Sequence, residues 1–228
     1  MEVVPIVPPL KSTSIEHRAQ KYLRLYYPEC LHGKKPVPVD HFFEIVIPSL
    51  VSIETSYANL ESLGITNAEG YTNATEKVSI VDQLLADDMS ISGTRRFRAT
   101  VGHESGHCIL HVPVQHWQAS RQKIGLGLKR ERSALRPFED PEWQAWRFCH
   151  AFCMPHQAVD EAVKHYGTGR VAIATMAEIF DMNPAFVVSR LKMLKKIPAN
   201  RGGSGEKFAR NPKCTGNLAQ PWQRYTNS

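Results

Sequence analysis

The stretch that most constrains how this chain folds is His103-Glu104-Ser105-Gly106-His107, flanked by apolar Val101, Ile109 and Leu110. From Gly93 to about His111 the pattern reads as helical, and on a helix positions 103 and 107 lie one turn apart on one face. The apolar flanks turn that face toward an interior, where unpaired imidazoles and carboxylates are costly to bury. A fold that accepts the segment has to give both rings a buried partner.

A single zinc ion gripped by His103 and His107 is such a partner, because the spacing is that of an HExxH helix. Glu104 then stands beside a metal-bound water as candidate general base. Zinc lowers the pKa of that water to about 7, and a carboxylate can take its proton during attack on a peptide carbonyl and return it to the leaving amine.

A catalytic zinc needs a third protein ligand while its fourth position stays open. A histidine ten residues after His103 is ruled out, since position 113 is proline. Glu142, in the first turn of a helix opened by Asp140-Pro141, is the best candidate; Asp140 suits the N-cap and Glu139 precedes the helix. Candidate donors to a developing oxyanion are His111, His116 and Tyr71. His111 continues the four-residue series from His107 and also suits a helix end. Arg95, Arg96 and Arg98 could steer an acidic substrate segment or serve structural contacts. The Gly- and Arg-rich stretch Arg121–Arg136, lying between the ligand-bearing helices, reads as a lid or a solvated loop.

Around this centre the chain predicts an α+β domain. A first helix runs from Thr13 to about Tyr26, with Thr13 and Glu16 at capping-box spacing. KKPVPVD leads to a short helix near Asp40–Ile47, and short strands at Leu50–Tyr57, Glu69–Thr72 and Val78–Val81 predict a small antiparallel sheet. Helices follow at Asp140–Met154, Ala158–Tyr166, Val171–Phe180 and Pro184–Lys196. Residues 1–12 read as an N-terminal extension, 13–198 as one domain and 199–228 as a disordered tail containing GGSG. At 228 residues and 42% hydrophobic content, one core is the expectation.

Five cysteines without CxxC spacing argue against a disulfide framework and for a reducing compartment. MEVVPIVPPL lacks a basic n-region, and no stretch approaches the roughly 18 apolar residues of a membrane span, so a cytoplasmic protein is expected. The net charge of +6 is modest, and its basic residues concentrate in Arg121–Arg136 and the tail.

RATVGHESGHCILH (Arg98–His111) and EWQAWRF (Glu142–Phe148), closing on Met154-Pro155, resemble the ImmA/IrrE type of bacterial and phage metallopeptidase. IEHRAQKYL, PVPVDHF and MAEIFDMNPAFVVSRLKML resemble that family's opening helix, linker and closing helix pair, so the likeness covers about residues 13–197. The resemblance implies a zincin-like fold, Zn2+ held by His103, His107 and Glu142, and Glu104 as base. It also implies a regulatory endopeptidase whose partner is a helix-turn-helix repressor or antitoxin. Departures fall at Ala99, Gly102, Ser105, Trp146, Cys149 and Cys153, where Phe, Ala, Leu, Asn, Ala and Leu are usual. Trp146 in place of Asn removes a polar contact that would support a ligand. Two other readings stand beside this one. The helix pair Val171–Phe180 and Pro184–Lys196 could form a DNA-binding helix-turn-helix, and HExxH chemistry could serve the toxin of a toxin-antitoxin pair.

Overall fold

The computed structural model describes residues 3–33, 35–121 and 129–199. The tail from residue 200, and residues 122–128 of the expected lid, lie outside the described residues. Strand β1 (Val3–Pro5) precedes α1 (Ser12–Tyr26). A single helical segment then runs through α2 (Val39–His41), a π-turn at Phe42–Val46 and α3 (Ile47–Val51). Strands β2 (Glu54–Ala58), β3 (Gly70–Asn73) and β4 (Val78–Asp82) follow. Next come α4 (Gln83–Ala86), α5 (Ile91–Leu110) and α6 (Val112–Arg121). Strand β5 (Lys129–Glu131) leads into α7 (Pro141–Cys153), α8 (His156–Tyr166), α9 (Arg170–Phe180) and α10 (Pro184–Met193).

The class is α+β, but the small sheet is mixed rather than antiparallel. Its order is β2-β4-β3, with β2 parallel to β4 and β3 antiparallel to β4. The hairpin β3–β4 inserts β4 in the middle, so residues 59–77 act as a crossover, which a parallel neighbour requires. Leu60 and Ile65 in that crossover, with Tyr71, form a small satellite core of their own. The periodicity marked β2, β3 and β4, although Leu50 and Val51 of the first expected strand belong to α3, and it carried no information on which strands would flank β4.

The expected capping box at Thr13 does not form. The helix starts at Ser12, and Glu16 instead pairs with Arg190 of α10, whose guanidinium is buried and also donates to the Met154 carbonyl at 2.9 Å. The helix expected to end near His111 is followed by further helix as far as Arg121. Pro113 falls in the first turn of α6, where its missing N–H leaves no hydrogen bond unmade. Helix α10 ends at Met193 rather than Lys196, and Lys195 adopts a left-handed conformation (φ 58°).

The N-terminal segment is integrated into the fold. Strand β1 pairs antiparallel with β5, Val4 and Val7 are buried, and the Leu10 N–H donates to the Phe138 carbonyl at 2.9 Å. The main core lies between α5, α7, α1 and the 39–51 helical segment, with Phe42, Phe148 and Phe152 fully buried within it.

Candidate metal centre

Helices α5 and α7 share the most extensive helix contact of the fold, and glycine makes it close. A Cβ on Gly106 would stand 2.8 Å from the Ala145 carbonyl oxygen and 3.0 Å from its Cα, so the two backbones touch where the two histidines face Glu142. One turn earlier, the space beside Gly102 is filled by the sulfurs of Cys149 and Cys153. Gly102, Cys149 and Cys153 thus meet at one contact, a residue without a side chain facing two thiols. Asp140 caps α7, accepting from the Glu142 N–H at 3.0 Å, as its place in the sequence predicts.

His103, His107 and Glu142 converge, all of them buried. The two Nε2 atoms are 3.1 Å apart, while Glu142 Oε2 lies 3.2 Å from His103 Nε2 and Oε1 3.2 Å from His107 Nε2. Ligand atoms about 2.0–2.1 Å from a tetrahedral ion stand about 3.3–3.4 Å apart. The group can therefore hold a metal ion. Burial alone would raise the Glu142 carboxyl, but the His107 and His103 rings outweigh it and keep it well below the usual range. Burial likewise opposes charge on His107, and the Glu142 carboxylate prevails and raises it. A proton on the ring does there, in part, what a cation would do.

Glu104 is held from the opposite side, by the sheet. Its Oε2 accepts from the Thr72 hydroxyl at 2.6 Å, and Thr72 is itself 2.7 Å from the Ser79 hydroxyl. Strand β3 can lie so near because residue 70 is glycine: a Cβ there would come within 2.6 Å of Glu104 Cγ and 2.7 Å of Cδ. Gly70 and Thr72 share a strand face, and neither was singled out from the sequence. The only signal is a glycine two residues before a threonine on a strand, which means little until the strand is set against α5.

The candidate donors are dispersed. Tyr71 points to the other face of β3, into the satellite core, where its hydroxyl donates to Glu76 at 3.2 Å and accepts from Asn73 at 2.6 Å. Strand alternation is the reason: with Thr72 toward Glu104, Tyr71 must face away. His111 is 1% exposed and bonded behind His107, not across the cluster from it. Burial and then the His107 ring push its pKa well down, so it stays neutral. His116 is partly buried, with Nε2 2.9 Å from the Ala74 carbonyl at the β3–β4 turn. All three arginines ahead of the motif have partners: Arg95 with Glu178 (2.7 Å) and Asp181, Arg96 with Glu69, and Arg98 with the Val37 (2.9 Å) and Asp181 (3.0 Å) carbonyls.

No family model and no curated protein matches the chain. No single helix among the described residues is long and apolar enough to cross a membrane.

Proposed function

We propose that this chain is a zinc-dependent endopeptidase of zincin-like fold, acting on a regulatory protein such as a helix-turn-helix repressor or antitoxin. The observation that carries the reading is the buried convergence of His103, His107 and Glu142 beside a Glu104 carboxylate fixed by Thr72. Zn2+ held by those three side chains would supply Lewis acidity to polarise a peptide carbonyl and to lower the pKa of water. Glu104 accepts a proton from the attacking water and delivers it to the departing amine, while the Thr72 hydroxyl keeps its carboxylate in place. Arg190, the central base of the possible DNA-reading helix, is buried and paired with Glu16, which favours proteolysis over duplex reading.

The test combines metal content with new protein termini in cells. Wild type purified without added metal is expected to carry about one zinc per chain, and His103→Ala and Glu142→Ala to lose it. Cells expressing wild type should show a new N-terminus in a regulator that is missing with Glu104→Gln, a variant that retains zinc. Folded wild type without zinc, or cleavage that survives Glu104→Gln, would overturn the proposal.

A further inference from the structure

His107 is backed by a chain of polar groups that ends on two backbone carbonyls. Its Nδ1 lies 3.1 Å from His111 Nδ1, His111 Nε2 lies 3.2 Å from Gln144 Oε1, and Gln144 Nε2 lies 3.0 Å from the Pro8 carbonyl and 2.8 Å from that of Phe138. Carbonyl oxygens only accept, so the Gln144 amide nitrogen has to face them and its oxygen has to face His111. An amide oxygen also only accepts, so the His111 proton sits on Nε2 and its Nδ1 offers a lone pair. His107 must then donate from Nδ1, which leaves Nε2 to point at His103 and Glu142. Each bond fixes the direction of the next, from Pro8 and Phe138 to the metal-facing nitrogen.

We propose that His111 and Gln144 are positioning residues that lock His107 into the tautomer that ligates metal through Nε2, with Pro8 of the N-terminal segment as one terminal acceptor. This rests on the reading that a metal sits at His103, His107 and Glu142. It gives His111 a role other than oxyanion stabilisation and makes residues 3–10 part of what holds the centre. The two histidine ligands are unequal in this respect. His103 Nδ1 is buried with no hydrogen-bond partner among the described residues, and the Trp146 ring lies against it at 4.4 Å between centroids.

Zn2+ affinity of the full chain, measured by chelator competition, tests the proposal in wild type, His111→Phe and His111→Asn. Outer hydrogen-bond partners of ligating histidines are worth about 10–100-fold in metal affinity, and His111→Phe should lose that much. His111→Asn, which places an acceptor where Nδ1 stands, should recover most of it. Nitrogen–proton NMR correlations on zinc-loaded wild type add a readout independent of any variant's folding. They are expected to place the proton on Nδ1 of His107 and on Nε2 of His111. Equal zinc affinity in His111→Phe and wild type, or a His111 proton found on Nδ1, would overturn the relay while leaving the metal site standing. Wild type that binds no Zn2+ would overturn the metal site and the relay together.

Discussion

Trp146 carries an indole N–H that is buried without a partner among the described residues, against the face of a histidine whose Nδ1 is also unpartnered. Removing a buried donor that makes no hydrogen bond offsets part of what a smaller ring loses in packing. Trp146→Phe should therefore change stability in urea unfolding by under about 1.5 kcal/mol, well below the 3–5 kcal/mol typical of emptying a buried aromatic site; a loss of that larger size would mean that the N–H is bonded. His150 follows similar logic on the next turn of α7. It stacks on Phe186 at 3.9 Å, and burial pushes its pKa down to about 3. The folded chain then resists a proton that the unfolded chain accepts near pH 6.5, so this group's stabilisation is complete above that pH and is lost as pH falls toward 3. His150→Phe keeps the stack and removes the titration, and its acid unfolding midpoint, followed by circular dichroism, should move to lower pH. At this scale His103, Glu104, His107 and Glu142 were legible because helical spacing and a cap signal are local. Thr72, Gly70 and Gln144 were not, because each gains its role only from an element far away in sequence.

Between elements, the approach of α5 to α7 sets the site. Gly106→Ala would push a methyl into the Ala145 backbone, which cannot rotate away, and overpacking of this kind costs about 1–3 kcal/mol. Thermal unfolding should show that loss, and the same displacement separates His103 and His107 from Glu142, which would weaken the group's hold on a metal ion. Helices α5, α7, α8 and α9 were legible to within a few residues from their periodicity, Pro and Asn/Asp signals. The antiparallel expectation for the sheet failed because alternation reports which face of a strand is buried and is silent on its neighbours. Helix resumes through Val112–Arg121, beyond the end expected near His111, and Pro113 is harmless in the first turn of α6.

At the scale of the whole molecule, distant parts of the chain are joined by a few polar anchors. Arg190 ties α10 to α1 through Glu16 and to the end of α7 through the Met154 carbonyl. Arg190→Met leaves Glu16 without its partner and should lower stability by about 3 kcal/mol, measurable as a reduced urea midpoint at unchanged slope. The sequence could place this arginine on a helix; only the packed chain turns it inward. A related arrangement governs the N-terminal segment, which pairs through β1 with β5 and caps Gln144 through Pro8. Both of its partners lie more than a hundred residues further along the chain, after the two histidines and close to Glu142. The nascent chain thus passes through a stage in which His103 and His107 exist without Glu142 and residues 3–10 have nowhere to dock. A metal ion held by all three side chains would therefore report that translation has proceeded into α7.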